Sequence, residues 1–412
     1  MLFLSPVAKS NTPSVILKPG RDKSVRHRHP WIFSGAIGGI AGSDPEPGEI
    51  VRVQAADGSI LAHGYFNAKS RITVRLLDWQ KDARIDADWW RASITAAATR
   101  RATLGTTTQS NAYRLVYAEA DGLPGLIVDR HANFLVVQIL TAGMERVREV
   151  ILGTLDEIFR PAGIVDLSDD TARRLEGLPP SSGQGIGKSP DRPLAIRENG
   201  FRFLIDLFEG QKTGFYLDQR TNRRRVAPYA QGRSVLDGFC YTGGFTLPAL
   251  AAGAQAITCI DSSAAALDLL GQNVEFFRSE RPESANAPLE ILKGNVFELM
   301  RHYRDEKRQF EMIILDPPKL AASQAQVPKA LRAYKDLNLL ALKLLTPGGI
   351  LATFSCSGAV SRTDFHNAIA WAATDAQRSV QVIEQLSQAE DHPILISFPE
   401  SEYLKGLICR VL

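Results

Sequence analysis

The sequence has only four cysteines, Cys240, Cys259, Cys356 and Cys409, and no two form a C-x-x-C pair or lie near histidine at zinc spacing. A disulfide framework or a cysteine-based metal site is therefore not expected, and sparse thiols suit a reducing cytoplasm. Long apolar runs are also missing. Nothing approaches the roughly 20 residues that span a bilayer, and the start MLFLSPVAKSNTPS has no positive region ahead of its apolar residues, so neither a membrane span nor a signal peptide is expected. The chain has little charge of one sign, with a net +3 over 412 residues, which does not by itself announce a polyanionic partner. The distribution says more: residues 1–80 carry ten Lys and Arg against six Asp and Glu, with much of the excess between Lys18 and His29. A small basic module on a nearly neutral remainder suits a polyanion.

What is present, 44% hydrophobic and 23% charged residues, describes a globular chain long enough for two or three domains. From Ser14 to about Asp78, short apolar runs (Val15–Leu17, Glu49–Val53, Ser59–Tyr65, Arg71–Leu77) alternate with Gly, Pro and Asp, the pattern of a small β-barrel. Residues 84–107 read as a helical connector. Strands follow at Tyr113–Ala118, Leu126–Asp129, Phe134–Leu140 and Gly163–Leu167, with an amphipathic segment at Met144–Phe159, which makes an α+β part. Residues 179–194 are so rich in Pro, Gly and Ser that a mobile surface loop is expected, and a hairpin at Asn199-Gly200 leads onward. The expected limits are 14–80, 84–198 and 199–412.

From Ser234 the rhythm becomes strand, glycine turn, helix, strand. Apolar strands at Ser234–Leu236, Ala256–Ile260, Leu289–Lys293, Met312–Leu315 and Gly349–Phe354 predict a parallel α/β sheet of Rossmann-like type, with its ligands beyond the carboxyl ends of the strands. The first strand end carries Asp237 and a turn through Phe239, Cys240, Tyr241, Thr242 and Gly243; its spacing is not the G-x-G-x-x-G of dinucleotide binding. The second carries Asp261 and Ser262, about twenty residues on, where an acidic side chain holds a ribose diol in nucleotide-binding sheets. The third carries Asn295. The fourth, Asp316-Pro317-Pro318-Lys319, holds its aspartate on a rigid, extended backbone. The fifth carries Cys356, a thiol at a strand end facing the cleft, where cysteine is usually packed away; Cys240 competes for that role.

These strand ends resemble those of class I S-adenosylmethionine methyltransferases. More narrowly, the chain resembles the bacterial large-subunit rRNA cytosine-5 methyltransferases with an N-terminal PUA domain. That likeness rests on Leu17-Lys18-Pro19-Gly20-Arg21, His29-Pro30-Trp31-Ile32-Phe33, Asp121-Gly122-Leu123-Pro124-Gly125-Leu126, the run Gln211 to Arg220, Asp391-His392-Pro393, Phe398-Pro399-Glu400 and Tyr403-Leu404-Lys405-Gly406-Leu407. It implies a PUA domain, a central α+β domain and a methyltransferase domain. It also implies an S-adenosylmethionine site at Asp237, Phe239 to Gly243, Asp261, Ser262, Asn295 (commonly Asp in the family), Asp316 and Gln219, with the run Gln211 to Arg220 at the entrance.

Catalysis would then fall to Cys356, Asp316 and Lys319. Cytosine C5 is a poor nucleophile, and thiolate addition at C6 makes the ring enamine-like. Lys319 or the cofactor's own charge would favour the thiolate, and Asp316 or Glu400 would take the C5 proton. RNA, 23S rRNA by resemblance, would meet Lys18, Arg21, Arg26, Arg28 and Trp31. No membrane partner is expected, and a homodimer is compatible with the sequence. Two other readings stay open. In one the enzyme methylates a guanine nitrogen, because Asp-Pro-Pro-Lys also resembles the motif of amino-methylating enzymes; in the other the chain is a non-catalytic RNA-bound assembly factor.

Overall fold

The computed structural model describes residues 12–101, 109–183, 185–208, 214–281 and 287–412. Its contacts divide the chain into two compact units: the first draws on Met1–Leu104, Arg114–Pro190 and Ile394–Ser401, the second on Gly105–Tyr113, Asp191–Pro393 and Glu402–Leu412. Among the described residues no helix is long and apolar enough to cross a membrane.

The first unit holds two sheets. Six strands lie in the order Trp31–Phe33, Ile72–Asp78, Ile60–Phe66, Ile50–Gln54, Ser14–Leu17, Ile37–Ala41. Two of these, Trp31–Phe33 and Ile37–Ala41, have too short or too glycine-rich an apolar run to be read from the sequence. Alternation does the packing: Val51 and Val53 point inward to meet Val15, Leu17, Ile32, Val74 and Leu76, while Arg52 is only partly covered. Five more strands follow in the order Ile186–Gly187, Gly163–Asp166, Phe134–Ile139, Leu126–His131, Ala112–Tyr117. Buried polar contacts tie the two sheets together. The Tyr65 hydroxyl donates to the Pro124 carbonyl at 2.7 Å, and the enclosed Arg75 and Glu176 pair at 2.9 Å.

Two expectations for this unit need correction. Met144–Phe159 is not one helix but two, Ala142–Arg146 and Arg148–Phe159, with the break at Val147. The supposed loop at 179–194 contributes a sheet-edge strand, Ile186–Gly187, antiparallel to Gly163–Ile164. Glycine here serves close backbone approach: a Cβ on Gly187, at φ +77°, would meet the Ala162 carbonyl at 2.7 Å.

The second unit opens with a hairpin, Leu194–Glu198 against Phe201–Ile205, turned by Asn199 and Gly200 at φ 51° and 81°. Its main sheet has seven strands: β1 Ser234–Gly238, β2 Ala256–Asp261, β3 Leu289–Lys293, β4 Phe310–Leu315, β5 Leu345–Ser355, β6 Val380–Ser387 and β7 Lys405–Val411. Their spatial order is β3-β2-β1-β4-β5-β7-β6. The five expected strands β1 to β5 all run parallel, and the two further strands make the sheet mixed, since β7 runs antiparallel to both β5 and β6. The reason lies in the connection: residues 388–404 contain no α-helix, and a parallel return needs a crossover of that kind. Helices cover the buried strands by apolar stripes, as in Val327–Leu344, where Leu337, Leu340, Ala341 and Leu344 are almost fully buried.

One buried group makes stability depend on pH. His131 is wholly enclosed, and neither ring nitrogen has a hydrogen-bond partner among the described residues. Burial pulls it from the ordinary 6.5 down to about 4. The unfolded chain therefore binds a proton that the folded chain refuses, and stability falls as pH drops from about 6.5 toward 4. Relative to His131→Leu, the native protein is expected to lose about 2 to 3 kcal/mol between neutral pH and pH 4.5, read by urea unfolding at the two pH values. Parallel pH profiles for the two proteins would refute this.

Candidate active site

The register of the sheet brings the chemistry together. Gly238 pairs with Ile260 on one side and Leu315 on the other, so Asp237, Asp261 and Asp316 emerge at the same sheet edge; Leu315 pairs in turn with Thr353, which puts Cys356 just beyond β5 at that edge. After β1 the chain makes a strained turn. Phe239 and Tyr241 adopt φ of 66° and 50°, a conformation that bulky residues rarely take, and Gly243 follows at 88°. The turn is held from β2: the Phe239 and Cys240 N–H groups both donate to the Ile260 carbonyl, at 2.9 and 3.1 Å, and the Tyr241 N–H donates to Asp261 Oδ2 at 3.0 Å. Asp261 Oδ1 accepts from the Ser263 N–H at 2.9 Å, and each carboxylate oxygen keeps a further lone pair for a ligand.

Asp237 is almost fully buried. Thr246 donates to its Oδ2 at 2.6 Å, whereas Oδ1 has no partner among the described residues. Burial, reinforced by Asp316 and Asp261 nearby, pushes its carboxyl up to about 7. Three carboxylates at one edge, one of them with an orphaned oxygen, suit a cationic ligand bearing N–H donors. Asn295 caps the helix Val296–Asp305, its Oδ1 accepting from the Phe297 N–H at 3.0 Å, a task that Asn and Asp perform equally well.

Asp316 is oriented by Gln219, whose Nε2 donates to Oδ1 at 2.9 Å, while Gln219 Oε1 accepts from Asn222 at 2.6 Å. The buried Gln219 carboxamide thus serves the aspartate rather than standing open for a ligand. Tyr216 stacks edge-on against Tyr241 at 5.6 Å, and burial, with Asp316 alongside, pushes its hydroxyl far up. The other expected entrance residues, Gln211, Lys212 and Thr213, lie outside the described residues.

The four thiols differ sharply. Cys240, Cys259 and Cys409 are buried; Cys356 alone is partly exposed. Burial, with Cys259 beside it, pushes Cys240 well up, and burial takes Cys409 up to about 12. The Cys356 thiol donates to the Pro317 carbonyl at 3.9 Å, so the fourth and fifth strand ends touch. Behind them runs a buried polar network that the sequence did not reveal. Ser355 donates to the Tyr334 hydroxyl at 2.8 Å, which lies 3.1 Å from Ser357 Oγ, and Ser357 Oγ accepts the Leu320 and Ala321 N–H groups, both at 3.1 Å.

The expected cation, Lys319, is exposed. The buried ammonium here is Lys405, which donates to the carbonyls of Ser357 at 2.8 Å and Val360 at 2.7 Å. Its signal was a lysine inside the apolar run Leu404 to Cys409. Glu400, a candidate base, belongs to the first unit, 3.5 Å from His29.

The basic candidates also lie in the first unit. Lys18, Arg21, Arg26 and Arg28 are exposed; Lys18 donates to the Gly35 carbonyl at 3.2 Å, Arg26 pairs with Asp22 at 2.6 Å and Arg28 lies over Trp79 at 5.4 Å. Trp31 is no open stacking platform. Its Nε1 donates to Glu119 at 2.8 Å, and its ring packs edge-on against Phe398 at 4.6 Å in the wall of a cavity of about 530 Å³.

A seven-stranded sheet of this order, with acidic strand ends around a glycine-bearing turn, defines the class, that of the S-adenosylmethionine-dependent methyltransferases, and the family model of that description matches residues 174–409. A PUA-like domain model matches residues 15–79. The chain is 43% identical to ribosomal RNA large subunit methyltransferase I of Erwinia tasmaniensis, over 97% of this chain and 100% of that one, and 46% identical to its namesake in Shewanella amazonensis, over 96% and 98%. It belongs to the ribosomal RNA large subunit methyltransferase I family. At the level of fold alone, the structure of SMU.776 complexed with SAH matches with a TM-score of 0.83 at 18% identity, covering 97% of this chain and 100% of that one.

The state of Asp237 yields a prediction. If its carboxylate receives the cofactor's positive charge, S-adenosylmethionine affinity should weaken as pH falls through about 7, by up to about ten-fold per pH unit. Calorimetry between pH 8 and 5.5 would register this slope, and Asp237→Asn should bind weakly at every pH. A flat profile in the wild type would rule out that contact.

Proposed function

We propose that this protein methylates large-subunit ribosomal RNA, forming 5-methylcytidine through a transient bond between Cys356 and C6 of the base, in the cytoplasm. The observation that carries the reading is the contact between the partly exposed Cys356 thiol and the Asp316-Pro317 strand end, with every other cysteine buried. S-adenosylmethionine, when bound, supplies an electrophilic methyl group. The residues present fit it: Asp237 and the turn from Phe239 through Cys240, Tyr241 and Thr242 to Gly243 for the amino-acid end, Asp261 with Ser262 for the ribose, Asn295 near the adenine and Asp316 toward the reacting end.

In this reading Cys356 Sγ adds to C6, and the electron pair displaced from the C5–C6 double bond makes C5 nucleophilic. Asp316, fixed by Gln219, faces the base. Once C5 carries the methyl group its proton must leave to a base; the electron pair then re-forms the double bond and expels the thiolate. Asp316, at the strand end that Cys356 touches, is the candidate for that base in the second unit. Lys18, Arg21, Arg26 and Arg28 supply phosphate contacts in the 14–80 module, Trp31 acting from its cavity wall; the 84–198 and 199–412 parts complete the proposed division.

Asp261→Ala is expected to weaken S-adenosylmethionine by about ten-fold or more, the loss of charge-assisted hydrogen bonds worth roughly 1.5 to 3 kcal/mol, and unchanged calorimetric affinity in a folded variant would displace the site. Cys356→Ala should abolish methylation with cofactor affinity nearly intact, because the loss falls on the transition state. RNA containing 5-fluorocytidine should trap the native enzyme covalently and leave the Cys356→Ala variant unbound, with Cys240→Ala as the control. Retained methylation by Cys356→Ala would exclude thiol addition and favour a guanine-nitrogen product.

A further inference from the structure

Lys405 is a buried charge in the second unit that this chemistry has not yet used, and it meets the loop that follows Cys356. Its side chain is about 3% exposed, and two of its three N–H donors go to backbone carbonyls of the loop that follows Cys356. On the sheet it pairs with Ser355, the residue before the thiol. Among the described residues no carboxylate forms an ion pair with it, since Glu402 is engaged with Arg362 at 2.6 Å. A buried cation without a directly paired anion is costly, and two carbonyl dipoles with the more distant charge of Glu402 offset only part of that cost.

We propose that Lys405 is a positioning residue for Cys356: it pins the 356–360 loop and, as a fixed positive charge, favours the thiolate. The inference rests on the reading of Cys356 as nucleophile. In the ionisation the S–H bond breaks, the electron pair stays on sulfur, and the proton passes to solvent while Lys405 keeps its own. The surroundings agree in sign. Burial lowers Lys405 to about 8, the charges of Glu402 and Cys356 act to raise it, and that of Arg362 acts to lower it. A thiolate at Cys356 therefore holds the proton on Lys405, and by reciprocity the ammonium stabilises the thiolate. Tyr334 and Tyr216, which also feel the charge of the thiol, are both pushed up by burial, Tyr334 to about 12, and stay neutral, while the Asp316 carboxylate at the neighbouring strand end acts against the thiolate and makes a fixed positive charge the more necessary.

The test reads the thiol rather than the methyl transfer. Alkylation of Cys356 by iodoacetamide is followed across pH by mass spectrometry of its peptide, in the wild type and in Lys405→Met, Lys405→Gln and Lys405→Arg. Loss of the charge should raise the midpoint by about one pH unit or more and slow alkylation at pH 7 about ten-fold. Gln, which keeps a donor for the carbonyls but no charge, should behave like Met, and Arg should retain most of the rate. Midpoints in Met and Gln equal to the wild type would overturn the proposal, as would full rescue by Gln, which would reduce Lys405 to a loop anchor. Should none of the variants fold, the wild type still decides: its midpoint must lie below that of the same cysteine in the urea-unfolded chain, and one equal or higher refutes the idea. Methylation assays on Cys356→Ala separate the two readings. Retained methylation alongside a Lys405-dependent midpoint removes the nucleophile but not the pairing, whereas lost methylation with an unmoved midpoint removes the pairing alone.

Discussion

Everything at the site depends on the backbone pairing of β1 between β2 and β4. Parallel strands share a direction, and the register Gly238 with Ile260 and Leu315 brings three aspartates to one edge, held there by hydrogen bonds in the core and not by any surface contact. The cost appears locally. Phe239 and Tyr241 sit in left-handed conformations that disfavour them by about 1 to 2 kcal/mol each, and Asp237 is buried with an unsatisfied oxygen. Strain and an orphaned acceptor at the same strand end are what a binding site requires, since a ligand can repay what folding alone does not.

A second constraint lies behind the site. Ser355, Tyr334 and Ser357 form a buried chain of hydroxyls that ends on the Leu320 and Ala321 N–H groups, so the segment after Asp316 and the segment after β5 are tied through one oxygen. Lys405 holds the far side of the same loop. A thiol partly open to solvent can be placed reproducibly only if its neighbours cannot move, and in a low-dielectric interior a fully satisfied network supplies that rigidity. The first unit solves a different problem, closing its sheets over an apolar core while its exposed lysine and arginines remain on the surface.

Local information sufficed for much of this. Apolar runs located all five strands β1 to β5: the buried parallel strands β1, β2, β4 and β5 have to be rich in apolar residues, and the edge strand β3, though largely exposed, still carries Leu289, Ile291 and Leu292. The strand ends then pointed to Asp237, Asp261, Asp316 and Cys356, since ligands gather where such strands finish. The reversed β7 was not legible, because an apolar strand reads the same in either direction and only the connecting segment 388–404 decides which way it runs. Nor could the sequence assign Ile394–Ser401 to the first unit, far from its neighbours in the chain.

What the sequence determined by itself was therefore the inventory: which segments are buried, which carboxylates and which thiols stand at strand ends, and which family the motifs match. What only the tertiary structure decided was partnership. That Gln219 serves Asp316, that Trp31 spends its N–H on Glu119, and that the buried cation near Cys356 is Lys405 while Lys319 is exposed, are contacts across about 50 to 100 residues of chain. Propensity and periodicity act over a few neighbouring residues, whereas a buried charge or donor takes its partner from whatever the packed core brings within hydrogen-bond reach.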